Sequence, residues 1–276
     1  MCTLGSDERF AGPRPPVRGP GYTTVMSSRL ASAWSTVAEG YDAYWVPRFR
    51  PWVVHVVEAL GALPPGPIAV PCCGSGAELS LLATRYPDRE IVGIDLSAGM
   101  ATLARRHASG RVRIVVEDAS HLSGQWAGIA SCFGLQQLPD PPAALARWCG
   151  ALLPGGRLSV VFWTLEGRDE GPFDALRAST DRLLGRKAPT WSHAIPGAVS
   201  RAATLLSDTL VSFPIHHDSP ETFWHALTER GPWKARQRQQ PDVVAEIGEQ
   251  FLSQWPPGPI HHTPHARVVL AAARRG

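Results

Sequence analysis

Between Ile68 and Asp95 the chain reads IAVPCCGSGAELSLLATRYPDREIVGID. Ile68 to Val70 is a short apolar run of strand character, and it breaks into a turn carrying Gly74 and Gly76. Leu79, Leu81, Leu82 and Tyr86 then fall on one helical stripe, which Pro87-Asp88 ends. Ile91 to Ile94 is a second buried-strand run, closing on Asp95. A strand, turn, helix and strand within this length make a right-handed crossover between parallel strands. Glycines in the first turn admit a ligand close to the backbone, and the helix N-terminus behind them favours anionic groups. Asp95 lies 19 residues past Gly76, where such units hydrogen-bond a ribose diol. The stretch reads as a nucleotide-type site.

The glycines alone do not say which nucleotide, because the third glycine of a dinucleotide fingerprint is missing. The following elements narrow the choice. A third strand, Arg111 to Val116, runs into Glu117-Asp118-Ala119. A fourth, Ile129 to Phe133, opens into Gly134-Leu135-Gln136-Gln137, and a helix from Ala143 leads to Leu153-Pro154-Gly155-Gly156 and a fifth strand, Arg157 to Trp163. In this order and spacing, VPCCGSG, VGIDLSAGM, VEDA, the apolar fourth strand and LLPGGRLSVVFW resemble class I S-adenosylmethionine-dependent methyltransferases. The resemblance is closest to the small-molecule branch related to quinone-biosynthesis C-methyltransferases. It covers Ser28 to Trp163 well and the C-terminal third loosely.

That resemblance implies a Rossmann-like α/β fold. Its seven-stranded sheet has the order 3-2-1-4-5-7-6 with the last strand antiparallel, under a helical cap. It also implies S-adenosyl-L-methionine (SAM) as cofactor and a small-molecule acceptor. Carried over residue by residue, Asp95 accepts the ribose hydroxyls and Asp118 the adenine amine, with the backbone at Ala119 reading the ring edge. Leu96 and Met100 flank the adenine, while Cys72, Gly74, Ser75 and Gly76 form the turn. Phe133 and Gly134 end the fourth strand beside the cofactor, and Tyr41 or Tyr44 approaches its methionine end. Asp95 has a second reading, as N-cap of the helix that begins near Ser97. Two positions depart from the family. Cys72 stands where the first glycine of the turn is usual, and Val70 replaces the acid that ordinarily orients the cofactor's amino group. Cys72 and Cys73 read either as small residues filling a tight turn or as thiols activated by a helix N-terminus.

One domain accounts for most of the 276 residues. The expected organisation is a disordered tail over 1–26, leading helices over 27–60 and a cofactor-binding core over 61–163. Cap or substrate segments follow over 164–206 and 218–262, with the final strands at 209–217 and 266–273. Pro47 and Pro51 break the leading helix into two, with Pro51 opening the second. A loop at Lys187-Ala188-Pro189-Thr190-Trp191 folds over the active face. Charge is nearly balanced, 27 Lys and Arg against 24 Asp and Glu, and no basic run with interleaved aromatics marks a nucleic-acid surface. Five cysteines without paired metal spacing fit reduced thiols, a cytoplasmic setting and no resident metal. No apolar run reaches membrane-spanning length. The oligomeric state stays open, a homodimer included.

The substrate side rests on aromatics and histidines. Trp163, Trp191, His193 and Trp224 fall in or beside the cap segments, and Tyr44 and Gln136 face the same cleft by position. Aromatic side chains offer broad, rigid apolar contact, suited to an aromatic or apolar acceptor of specialised metabolism. His216-His217 and His261-His262 end the sixth strand and precede the seventh, so topology can bring them together. His216, His217 and His262 are therefore the candidate bases. A metal pair and plain surface histidines are the other readings. The rival function is a SAM-binding protein that catalyses a cyclisation or rearrangement without moving a methyl.

Overall fold

Parallel strands with helices on both sides must be apolar on both faces, and the central runs meet that requirement. The computed structural model describes residues 20–164, 171–184 and 190–274. Residues 1–19 of the expected tail and Lys187-Ala188-Pro189 of the expected loop lie outside the described residues. Strands β1 (Ile68–Pro71) and β4 (Trp126–Cys132) are buried almost throughout, and β2 (Ile91–Asp95) is buried up to its terminal acid. With β3 (Val112–Val116), β5 (Leu152–Trp163), β6 (Thr204–Ser212) and β9 (His265–Ala272) they form one sheet, ordered β3-β2-β1-β4-β5-β9-β6. Strand β9 runs antiparallel to both its neighbours. It is the seventh strand of this sheet in chain order, so the order and the antiparallel strand are those expected.

Two layers cover the sheet. On one face α2 (Ala77–Arg85) packs beneath a long α1 (Pro20–Ala59) together with α5 (Pro172–Leu184), α7 (Pro220–Glu229), the short α8 (Lys234–Gln239) and α9 (Pro241–Leu252). On the other, α4 (Pro141–Gly150) packs with α6 (Ile195–Ala202) against Ala69, Ile129 and Phe162. Helix α3 (Ala98–His107) meets α1 through Met100, Leu103 and Ala38. The segment expected as cap over 164–206 is therefore split. Its first helix, α5, lies with the cap, whereas Trp191 to Ala202 belong to the opposite layer, where Trp191 packs on Phe162 at 5.3 Å. Alternation along β5 sends Phe162 to that face and Trp163 to the other.

The leading segment corrects another expectation. It is one helix of 40 residues that runs through Pro47 and Pro51 and begins at Pro20, inside the stretch assigned to the tail. An interior proline costs about 3 kcal/mol, while each fully buried large apolar side chain returns about 1.5–3 kcal/mol. Trp45, Phe49, Trp52, Val53, Val56, Val57 and Leu60 are all buried, so packing outweighs the two prolines. Indole hydrogen bonds pin the helix, from Trp52 Nε1 to Val211 O (3.1 Å) and from Trp45 Nε1 to Ala226 O (3.3 Å). The final strand is held by a partly buried ion pair. Arg267 Nε and Nη2 donate to the two Asp208 carboxylate oxygens at 2.6 and 2.7 Å, and Nη1 donates to Ser192 O at 2.9 Å.

Candidate active site

The C-terminal ends of β1, β2 and β4 open into a cavity of about 630 Å³, roofed by residues of α1 between Leu30 and Val53. Its floor is built by backbone conformation. Cys72, Phe133, Gly74 and Gly76 all take positive φ (56°, 57°, 54° and 93°), which turns the chain sharply after β1 and after β4. Such conformations are costly for non-glycine residues and gather at functional sites. Gly134 is obligatory, because a Cβ there would lie 2.2 Å from Cys72 Cβ. Asp95 braces the turn. Its Oδ2 accepts from Gly74 N and its Oδ1 from Ser97 N, both at 2.8 Å. Burial pushes the Asp95 carboxyl up despite these two bonds. Ser97, not Asp95, caps α3, accepting from Met100 N at 3.2 Å. Asp118 caps the short turn Ala119–His121, accepting from Ser120 N at 2.9 Å.

Of the residues assigned to the cofactor, Tyr41, Cys72, Gly74, Ser75, Asp95, Leu96, Met100, Asp118, Ala119, Phe133 and Gly134 line this one cavity. Gly76 lies behind the turn, tight against Ala104 of α3. Ser75 Oγ is buried at the wall without a hydrogen-bond partner. Burial raises the Cys72 and Cys73 thiols well above their ordinary range, the opposite of activation by the helix N-terminus. They fill the turn.

The substrate and base assignments fare differently. The two histidine pairs do meet, as β7 (Ile215–His217) and β8 (Ile260–His262) of a separate two-stranded sheet. Alternation turns His217 and His262 inward, with 3.1 Å between their Nε2 atoms, and leaves His216 and His261 outside, their rings 4.5 Å apart and tilted. His217 Nδ1 shares a 2.8 Å hydrogen bond with the Tyr44 hydroxyl. Burial, then the neighbouring His262, hold the His217 imidazole down to about 3. Neither it, His262, His216 nor Tyr44 lines the cavity, so the bases expected above the cleft lie beside the cap core instead. Trp163 stands one layer behind the cavity wall, stacked on Phe133 at 4.5 Å. Trp224 packs on Phe251 and Trp233, and His193 is exposed in the opposite layer. Gln137 lines the cavity where Gln136 was expected, since Gln136 turns inward.

One functional candidate was missed. Glu78, in the first turn of α2, is 2% exposed and lines the cavity. Its Oε1 accepts from Cys132 N at 2.9 Å, and burial raises its carboxyl to about 7. An acid in a first helical turn ordinarily faces solvent and complements the dipole, so its position in the sequence carried no signal of burial. Leu30, Trp34, Val46, Phe49 and Val53 of α1 complete an apolar wall that was equally unassigned. Among the described residues, no group of three His, Cys, Asp or Glu side chains is placed to hold a metal ion, and no helix is long and apolar enough to cross a membrane.

Strand order and the site at the ends of β1, β2 and β4 define the class I methyltransferase fold. Residues 68–156 match the family described as a methyltransferase domain. A trans-aconitate 2-methyltransferase of Methylobacterium radiotolerans is 34% identical over 140 residues, 49% of this chain and 50% of that protein. One of Deinococcus radiodurans is 39% identical over 88 residues, 32% of this chain and 34% of that protein. A demethylmenaquinone methyltransferase of Thermus thermophilus is 35% identical over 94 residues, 32% of this chain and 43% of that protein. The chain thus spans about a third to a half of the length of these relatives. A phosphoethanolamine N-methyltransferase structure from Haemonchus contortus superposes with a TM-score of 0.52 at 15% identity, over 87% of this chain and 57% of that one. A type II methyltransferase structure from Anaeromyxobacter dehalogenans gives 0.51 at 20%, over 82% and 96%. Both are likenesses of fold.

Proposed function

We propose that this chain is a SAM-dependent methyltransferase acting on a small, largely apolar acceptor, in specialised metabolism. The observation that carries this reading is the lining of one cavity. Three carboxylates, Glu78, Asp95 and Asp118, share it with the Cys72–Gly76 turn and an apolar wall from α1. No Lys, Arg or His is among its described lining residues. That charge pattern suits a ligand bearing a diol, an amine and net positive charge, and suits a dinucleotide diphosphate poorly. The unpartnered Ser75 hydroxyl offers a further polar contact.

When bound, the cofactor supplies an electrophilic methyl on a sulfonium leaving group. The chain's own residues bind, orient and exclude water. Asp95 has carboxylate lone pairs beyond its two backbone bonds for the ribose hydroxyls, and Asp118 for the adenine amine. Trp34, Phe49 and Phe133 keep water from the reacting end and hold the acceptor near it. The named relatives methylate a tricarboxylate and a quinone precursor. The absence of a basic described lining residue favours an acceptor of the second, apolar kind. Incubating the protein with SAM and either a demethylated naphthoquinol or trans-aconitate, and measuring S-adenosylhomocysteine (SAH), tests this. Release of SAH with the naphthoquinol is expected. Turnover of trans-aconitate alone overturns the apolar acceptor, and product formation without SAH favours the cyclisation or rearrangement reading.

A further inference from the structure

Glu78 is the one carboxylate of the cavity with no task so far. Its place along the sheet edge is informative. The order β3-β2-β1-β4 sets Asp118, Asp95, the Cys72–Gly76 turn and then Glu78 with Cys132 in a row across the strand ends. With adenine at Asp118 and ribose at Asp95, the methionine end of a cofactor lies at the β4 side, beside Glu78. Val70 cannot serve there, because it is fully buried among apolar side chains beneath the turn.

The groups facing Glu78 are Tyr41 from α1, Cys132 from β4, Cys72 and Cys73 from the turn and Asp95 from β2. None of them is a cation. Glu78 accepts Cys132 N, and a buried carboxylate without a counter-ion is expensive to ionise. A ligand that brings a positive charge removes that cost. The unpartnered Ser75 Oγ in the same wall is a second polar group awaiting a ligand.

We propose that the Glu78 carboxylate is the counter-ion of the ammonium at the methionine end of the cofactor, supplying from α2 the charge that Val70 lacks. This rests on the cofactor assignment above. Cofactor loading is then linked to a proton. In the empty site burial raises the Glu78 carboxyl to about 7, and the arriving ammonium favours the carboxylate, so binding releases a proton and strengthens as pH rises towards about 7.5.

Calorimetric titration with SAH and with 5′-methylthioadenosine, which keeps the nucleoside but lacks the amino-acid end, separates the claims. Glu78→Gln keeps an oxygen for Cys132 N. It is expected to weaken SAH at least about tenfold at about pH 7.5, leaving methylthioadenosine within about twofold of wild type. In wild type, SAH affinity should fall about tenfold from about pH 7.5 to about 5.5, with methylthioadenosine nearly unchanged. Glu78→Gln binding SAH like wild type, or weakening both ligands equally, overturns the role of Glu78 and leaves the cofactor assignment standing. Should the variant not fold, a pH-independent ratio of the two wild-type affinities overturns it. Wild-type protein that binds neither ligand overturns the cofactor assignment and with it this inference.

Discussion

At the scale of single residues, Asp95 does two things at once. It braces the turn through Gly74 N and Ser97 N, and it faces the cavity. Asp95→Ala is therefore expected to weaken SAH at least about tenfold and also to lower stability by about 2 kcal/mol, since a charged acceptor of two backbone donors is lost. Calorimetry and denaturant melts read the two effects separately, and unchanged affinity would remove Asp95 from the site. Val70 makes the converse case. An acid is usual there in the family resembled, yet here the side chain is enclosed by core residues. Val70→Asp should cost about 3 kcal/mol of stability through a buried, unpaired carboxylate, with no gain in SAH affinity. A gain would mean that the turn opens to admit it.

At the scale of elements, the cap is held by aromatic packing that position in the sequence suggested was a substrate wall. Trp224 lies flat over Gly248 of α9, where an added Cβ would come within 2.7 Å of its ring. Trp224→Ala should lower stability by about 2–3 kcal/mol while SAH affinity stays within about twofold. A selective loss of acceptor binding would restore the tryptophan to the site. The paired strands β7 and β8 set the acid response. His217 is neutral when folded, held down to about 3 chiefly by burial, and titrates at about 6.5 when unfolded. Below that value the unfolded chain binds the extra proton, so the His217 contribution is complete above about pH 6.5 and is lost as pH falls towards 3. Melting temperatures of wild type should drop between about pH 6.5 and 4, and His217→Phe should flatten that drop. An equal drop in both proteins would assign it to other groups.

At the scale of the whole molecule, α1 joins the two functions of the fold. Its first half contributes Leu30, Ala31 and Trp34 to the cavity, and its second half adds Tyr41, Val46, Phe49 and Val53 to the cavity wall while placing Trp52, Val56 and Val57 in the core. Ser35 docks that first half onto α3, its Oγ 2.8 Å from Ser97 Oγ and accepting from Gly99 N at 3.2 Å. These polar links are few beside the packing of the second half, so opening for ligand entry should be confined to the first half. Hydrogen exchange is expected to slow on SAH binding over Ser28 to Tyr44 and to change little over Val53 to Ala59. Uniform protection along the helix would mean that α1 moves as one piece.

The order of the strands was implied by the family resemblance, while the sequence by itself determined where the strands lie along the chain, the place of the turn and the residues at the strand ends. These follow from local period, from glycines that need positive φ, and from acids that end apolar runs. Eleven of the twelve residues assigned to the cofactor line the cavity for that reason. What only the tertiary structure decided was which face each remaining side chain meets. Pro47 and Pro51 stayed inside a helix because the core on which it lies outweighs them. Phe162 and Trp163 are adjacent in the chain but separated by the sheet, and Trp191 followed the former. His217 and His262, 45 residues apart, met as expected, yet in a layer beside the cavity. Glu78 is buried where β4 brings Cys132 N against α2. Burial and charge environment are properties of contacts between distant segments, which local pattern does not encode.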